Sequence, residues 1–211
     1  MAISTSKENI LKKIRKALTH STPLPFPQSE SKQSFFQPSS QELEIEFADQ
    51  FTKLQGKFIY CLNHSELITQ LNNLVLHQQW NKIYCREEPL KTALRENGFD
   101  HFSDVALKDC DASITGCEAL VARTGSIMMS AAQQSGRTVS VYAPVHICIA
   151  YVNQLVYDIK DALQLIKDKY GDQLPSLITF ATGPSRTADI EKTLVVGVHG
   201  PKEVYLMLVE A

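Results

Sequence analysis

The stretch "KFIYCLNHSELITQLNNLVLHQQWNKIYC" (57–85) decides the fold class, because it has the pattern of a strand, a helix and a second strand. Its ends, "KFIYCL" and "KIYC", are short apolar runs typical of buried strands. The segment between them, "SELITQLNNLVLHQ" (65–78), carries apolar residues at helical spacing. A further helix, "EPLKTALRENG" (88–98), ends on a glycine, as helix C-termini favour. This alternation predicts an α/β fold with a mainly parallel sheet flanked by helices.

The rest of the domain continues the same pattern. Before the first strand, Leu43, Phe47, Phe51 and Leu54 mark one apolar helix face. The segment "VYDIKDALQLIKDKYG" (157–171) has the period of another helix. Six further strands are predicted, at 112–116, 126–131, 138–143, 146–152, 176–182 and 203–210.

The N-terminal region differs from the domain. Thr5 and Glu8 stand at capping-box spacing before an apolar stripe with helical period, and Lys12, Lys13, Arg15 and Lys16 lie opposite that stripe. A Pro- and Ser-rich segment (19–40) follows, which favours neither helix nor central strand. We therefore predict a helical arm and linker over 1–40 and an α/β domain over 41–211. The arm either packs against the domain or a partner, or is a loose tail.

Composition restricts the classes of partner. The 211 residues are 44% hydrophobic and 21% charged, as in ordinary globular proteins, and suffice for one well-buried domain. With a net charge of −2 and scattered positive residues, the chain is not expected to bind nucleic acid. No apolar run is long enough to span a bilayer, and the N-terminus lacks a signal-peptide pattern. We expect a cytoplasmic protein.

Cysteine spacing and the absence of common motifs restrict the cofactors. The five cysteines occur singly, mostly within apolar stretches, and form no C-x-x-C pair, so we expect reduced and mainly buried thiols. No spacing indicates a metal site or an iron–sulfur cluster on this chain. The G-x-G-x-x-G, P-loop and H-E-x-x-H motifs are also absent. No cofactor is expected on the chain itself.

Glycine, hydroxyl, histidine and arginine residues gather where predicted strands end. In open α/β sheets, ligands bind outside the carboxyl ends of strands, so these positions are candidate binding sites. The first segment is "ITGCEALVARTGS" (114–126), whose two Thr-Gly pairs flank a short run that we interpret as helical. Its Glu118 is a candidate base or nucleophile, or a helix first-turn acid, and Cys117 fits a buried apolar position.

Two further segments carry cations. Arg137 follows a glycine in "SGRTVSVYAPVHI" (135–147), and His146 begins a strand, as a catalytic group or as a hydrogen-bonded structural residue. In "ATGPSRTADIE" (181–191), Ser185 is a candidate N-cap for a short helix through Asp189 and Glu191, whose N-terminus would attract an anion. Arg186 either adds its charge to that site or pairs with Asp189.

The complete set of candidate residues follows from these segments and from "VVGVHGP" (195–201). The catalytic candidates are Glu118 and His146. The candidates for binding a small carboxylate or phosphate are Thr115, Gly116, Thr124, Gly125, Ser126, Arg137, Gly183, Ser185, Arg186, Thr187 and His199.

The motifs "ITGCEALVARTGS", "SGR", "PVHI", "GPSRTADIE" and "VVGVHGP" resemble, in order and spacing, those of the LUD-domain family. The resemblance is strongest over about residues 110–210. It implies a fold of the NagB/RpiA/CoA-transferase type and a role in oxidising L-lactate to pyruvate. It also implies two iron–sulfur lactate utilization proteins, LutA-like and LutB-like, as partners that carry the clusters. One position departs from the family pattern: Arg123 stands where many members have an acid, so no role of that acid transfers to this chain.

Three functional hypotheses remain open from the sequence. The first is a subunit of a lactate-oxidising complex that binds a small anion. The second is a stand-alone enzyme of the same fold, such as an acyl-CoA transferase using Glu118 as a covalent carboxylate, or a sugar-phosphate isomerase. The third is a non-catalytic assembly module whose helix at 8–18 docks onto a partner.

Overall fold

Helices and strands alternate along the domain. A computed structural model describes residues 5–19, 41–187 and 195–210. The helices are α1 (Thr5–Leu18), α2 (Leu43–Lys53), α3 (His64–Gln78), α4 (Glu88–Glu96), α5 (Val139–Tyr142) and α6 (Ile159–Tyr170). The strands are β1 (Lys57–Cys61), β2 (Ile83–Cys85), β3 (Ala112–Thr115), β4 (Ala119–Val121), β5 (Ser126–Ser130), β6 (Val145–Tyr151), β7 (Leu155–Val156), β8 (Ile178–Ala181), β9 (Arg186–Thr187), β10 (Val195–Val196) and β11 (Glu203–Val209).

The central sheet is entirely parallel, which confirms the predicted α/β class. Its strand order is β1-β11-β6-β3-β2, so the two strands of the stretch 57–85 form opposite edges of the sheet. The connection through α3 therefore crosses the full width of the sheet. Strand β11, from the C-terminal end of the chain, fills the position beside β1 and closes the core.

A second sheet lies against the first. Its order is β7-β4-β5-β8, with β5 antiparallel to both of its neighbours. The short strand β4 lies where a helical run was predicted between the two Thr-Gly pairs, so that prediction is wrong. Only one 3₁₀ turn occurs there, at Ala122–Thr124. All three residues of β4 are buried, because they are enclosed between the first sheet and α6.

Alternate side chains of the strands supply three apolar clusters. One face of the parallel sheet packs against α3 and α4, where Leu67, Leu71 and Leu94 are buried. The other face packs against α2 and the second sheet, through Phe47 and Phe51 among others. The far face of the second sheet is covered by α6. The layers are therefore helix, parallel sheet, mixed sheet with α2, and helix.

The segment 138–143, predicted as a strand, is helical instead. Val139–Tyr142 form a single turn, α5, that contacts β3. The carbonyl oxygen of Val139 accepts a hydrogen bond from the buried Ser113 hydroxyl, 3.0 Å away. Alternating valines over so few residues fit a strand and a helical turn equally well, so the tertiary contact determines the outcome.

The chain divides into two units between residues 37 and 38. In the first, α1 carries its apolar residues Ile10, Leu11, Ile14 and Leu18 exposed. Thr5 begins this helix, but its side chain lies outside the described part, so its predicted capping role stays a prediction. None of the helices in the described ranges is both long and apolar enough to cross a membrane.

Candidate functional site

The "GPSR" turn is held by backbone hydrogen bonds to the "VHGP" segment. The Ser185 amide donates to the Pro201 carbonyl, and the Gly197 amide donates to the Ser185 carbonyl, both at 2.9 Å. Gly183 has a φ of +91°, and a Cβ there would lie 2.5 Å from the Leu54 carbonyl oxygen. Only glycine therefore fits where this turn approaches the end of α2.

The helix predicted to begin at Ser185 is not formed there. Arg186 and Thr187 form β9, which pairs antiparallel with β10. Because the backbone of Ser185 bonds to Gly197 and Pro201, the residues that follow it continue as a strand. A helix dipole therefore cannot attract an anion at this position. Asp189 and Glu191 lie outside the described residues, and so does the proposed Arg186–Asp189 pair.

A cavity of about 360 Å³ opens beside this turn. Gly183, Ser185, Arg186 and His199, all predicted ligand residues, line it together with Thr182. The Arg186 side chain is exposed. Within the described ranges its guanidinium makes no hydrogen bond or ion pair. Thr187 belongs to the same hairpin but does not line the cavity.

Thr115, Gly116 and Glu118 lie elsewhere, at the carboxyl end of β3. The Gly116 amide donates to both carboxylate oxygens of Glu87, at 3.2 and 3.3 Å. A carboxylate of the protein thus already occupies the position where the sequence predicts an external anion. A second cavity of about 360 Å³ adjoins Glu87, Gly116 and Glu118.

The Glu118 carboxylate is almost fully buried and bonded to three donors. Its side chain is 2% exposed and accepts from Ser130 Oγ at 2.6 Å, Tyr170 OH at 2.7 Å and Lys169 Nζ at 2.7 Å. Burial alone would raise the pKa of the Glu118 carboxyl, but the hydrogen bonds from Lys169, Ser130 and Tyr170 outweigh it and hold that pKa below its usual value. The carboxylate is arranged as an anchor between β5 and α6.

His146 and Thr115 meet between the two sheets. The imidazole is fully buried, and its Nε2 lies 2.8 Å from Thr115 Oγ1. Its Nδ1 is buried without a hydrogen-bond partner in the described structure. Burial lowers the pKa of His146 to about 4, so the ring is neutral near pH 7. A neutral, enclosed imidazole fits the structural interpretation of this residue.

The second Thr-Gly pair packs against α2. A hydroxyl chain links Thr124, Ser126 and Thr182, with both oxygen–oxygen distances at 2.8 Å. Gly125 has a φ of +59°, and a Cβ there would lie 2.5 Å from the Phe51 amide nitrogen. The glycine is therefore required by the close approach of this turn to α2.

Arg137 and Arg123 are both engaged in contacts within the domain. Arg137 donates to Ser176 Oγ at 2.6 Å and does not line the Arg186 cavity. Arg123 forms an ion pair with Asp158 at 2.8 Å, and this hydrogen bond holds the pKa of the Asp158 carboxyl below its usual value. Asp158 caps α6, so the arginine at the position that departs from the family pattern supports a helix start.

The predicted residues therefore separate into several places. The Arg186 cavity adjoins the segment leading into β11, while Gly116 and Glu118 follow the carboxyl end of β3. In the described structure, no group of three or more His, Cys, Asp or Glu side chains is placed to hold a metal ion. Glu87, which accepts the Gly116 amide, and Lys108 and Lys202, which line a cavity next to the Arg186 cavity, were not predicted from the sequence. Of these, only Lys202, directly after "HGP", carries a local signal.

Two curated proteins named lactate utilization protein C are similar to this chain in sequence. Lactate utilization protein C from Bacillus licheniformis is 38% identical over 99 residues, which cover 46% of this chain and 41% of that protein. Lactate utilization protein C 1 from Bacillus mycoides is 30% identical over 164 residues, covering 68% of this chain and 69% of that protein. The chain thus spans less than half of the first relative and about two thirds of the second.

A solved structure and a family model cover most of the domain. The crystal structure of a DUF162 family protein from Deinococcus radiodurans superposes with a TM-score of 0.58 at 17% identity, covering 82% of this chain and 99% of that one. This similarity shows a shared fold. The LUD domain model matches residues 45–209, from α2 to the end of β11. The chain therefore belongs to the LUD domain family.

Proposed function

We propose that this chain is a component of an L-lactate utilization system and binds a small carboxylate or phosphate through Arg186. The relatives named lactate utilization protein C support the role in lactate utilization. The observation that carries the binding site is the exposed Arg186 guanidinium, which lines a cavity beside Ser185 and His199. An arginine binds a carboxylate through two parallel charge-assisted hydrogen bonds.

In this proposal, iron–sulfur partner proteins resembling LutA and LutB accept the electrons. Oxidation of L-lactate to pyruvate releases two electrons, which need an acceptor, and two protons, which pass to the solvent. The partners' clusters would take the electrons, and this chain would hold the anion. The Ser185 hydroxyl and the His199 ring line the same cavity as Arg186, and they would complete the carboxylate site.

The alternative of a covalent acyl-CoA transferase has less support. That chemistry needs a carboxylate that is free to attack, whereas Glu118 is 2% exposed and bonded to Ser130, Tyr170 and Lys169. No contact among the described residues favours Glu118 as a nucleophile.

Arg186→Gln is expected to weaken the binding of L-lactate or pyruvate at least tenfold, or about 1.4 kcal/mol, because it removes the only permanent charge lining the cavity in the described structure. Isothermal titration of the purified complex with both anions measures this. Arg86→Gln is the matched control, because Arg86 is also exposed and does not line the cavity. Equal affinities for all three proteins would contradict the site. Unchanged lactate oxidation by a complex lacking this chain would contradict the function.

Helix α1 is the element that we propose to dock onto the iron–sulfur partners. Its exposed apolar stripe includes Ile10 and Ile14, and basic residues occupy the opposite face. Ile14→Asp is expected to reduce co-purification with the partners at least tenfold, because it places a charge in an apolar contact. Lys13→Asp, on the polar face, is the control. A protein lacking residues 1–40 that still forms the full complex would contradict this role.

A further inference from the structure

A third cavity adjoins the Arg186 cavity and has a different lining. Its volume is about 560 Å³, and Val141, His199 and Gly200 line both cavities. Two lysines, Lys108 and Lys202, line this third cavity and not the Arg186 cavity. Among the described residues, no aspartate or glutamate lines either one. The cavity therefore concentrates positive charge on a chain whose net charge is −2.

Two acidic residues near these lysines are bound elsewhere, whereas Asp109, next to Lys108, is exposed. Glu203, which follows Lys202, forms an ion pair with Lys57 at 2.6 Å and accepts from Tyr205 OH at 2.9 Å. Asp111 accepts the amides of Asn81 and Lys82 at 2.8 and 2.9 Å. Lys108 and Lys202 are exposed and form no ion pair within the described ranges. The described residues therefore leave both lysine charges available to a ligand.

The backbone of the same wall offers further donors. In the turn at 197–200, the amides of Val198, His199 and Gly200 donate no hydrogen bond within the described part of the chain. Gly197 has a φ of +79°, and any side chain there would collide with the Lys202 side chain. The glycine thus allows Lys202 to lie across the turn. Successive free amides beside a lysine are the donor set that proteins use to hold phosphate groups.

We propose that this cavity, lined by Lys108, Lys202 and the turn 197–200, binds the phosphate group of an organic phosphate. The site goes beyond the proposed function, because Lys108 and Lys202 line this cavity and not the Arg186 cavity, and because its ligand carries an organic part beside the phosphate group. Its size exceeds what one phosphate group fills, and the exposed Tyr142 ring lines its wall. The remaining volume suits the organic part of the ligand.

The test titrates the full-length protein with inorganic pyrophosphate, inorganic phosphate and acetate. We expect affinity to fall in that order, because pyrophosphate has two phosphate groups to engage both lysines and the amides, phosphate has one, and acetate has a single charge on two oxygens. Pyrophosphate should also shift the NMR amide resonance of Val198, which lines this cavity and not the Arg186 cavity. Resonance changes confined to other parts of the protein, or binding no tighter than that of acetate, would overturn the proposal.

Charge-neutralising variants test whether pyrophosphate binds in this cavity. Lys108→Gln combined with Lys202→Gln is expected to weaken pyrophosphate binding by about tenfold or more, since two charge-assisted contacts are lost. The double variant Lys82→Gln with Lys160→Gln removes the same charge from exposed positions outside the cavity and should bind as the native protein does. Equal weakening in both pairs would overturn the proposal in favour of non-specific charge attraction. L-lactate affinity reports on Arg186 separately, so each proposal can fail alone.

Discussion

Gly125→Ala is expected to lower the free energy of unfolding by about 3 kcal/mol or more, from left-handed strain and overpacking together. Gly125 has a φ of +59°, where an L side chain costs about 1–2 kcal/mol. The added Cβ would also lie 2.5 Å from the Phe51 amide nitrogen and 2.7 Å from the Gln50 carbonyl carbon. These are backbone atoms of α2, which cannot retreat without displacing the buried Phe47 and Phe51 rings.

The matched control is Gly136→Ala. Gly136 has a similar φ of +64°, but nothing lies within 4 Å of a Cβ at that position. Gly136→Ala should therefore lower the free energy of unfolding only by the backbone strain, about 1–2 kcal/mol. Urea denaturation of both variants, followed by circular dichroism, separates strain from collision. Equal losses would show that the approach of the 122–125 turn to α2 is looser than the structure has it.

Gly125 also illustrates what the sequence can and cannot predict about the site. Its neighbours Thr124 and Ser126 have the composition of a ligand-binding turn, and all three residues are predicted from the sequence to bind an anion. The feature that requires the glycine is Phe51, more than 70 residues away in sequence. The same holds for Gly116, whose amide is taken by Glu87. Local composition does not distinguish a turn that faces a ligand from one that faces the protein.

Strands β6 and β11 of the parallel sheet could be predicted because both are buried on both faces. "HICIAYV" and "EVYLMLVE" became β6 and β11, adjacent in the sheet and nearly continuous in apolar residues. Short elements were less predictable. Strand β4 has three residues and β9 has two, too few to establish a period, and their partners β5, β7 and β10 are contributed by other segments. Tertiary pairing therefore defines them.

Glu118→Ala is the second substitution with a large expected effect, a loss of about 3 kcal/mol at pH 7 from the free energy of unfolding. It leaves the Ser130 and Tyr170 hydroxyls without their shared acceptor, Glu118 Oε1. Lys169 contributes less than the short distance suggests, because its side chain is 62% exposed and can return to water. Glu118→Gln keeps an acceptor for the two hydroxyls and should lose about half as much. Glu96→Gln, at an exposed position, should change the free energy by under about 0.5 kcal/mol.

The pH dependence of the stability lost on substituting Glu118 tests the electrostatic contribution of its carboxylate. The pKa of the Glu118 carboxyl lies below the ordinary value of 4.5, because the hydrogen bonds from Lys169, Ser130 and Tyr170 outweigh its burial. A carboxyl with a lowered folded-state pKa stabilises the protein fully above its unfolded-state pKa, and this stabilisation is lost as the pH falls through the folded-state value. The difference between the native protein and Glu118→Gln should therefore be constant at neutral pH and shrink below about pH 4.5. A Glu118→Ala variant as stable as the native protein would contradict the anchoring role. A carboxylate that can be removed without a loss of stability would instead be free to take part in chemistry.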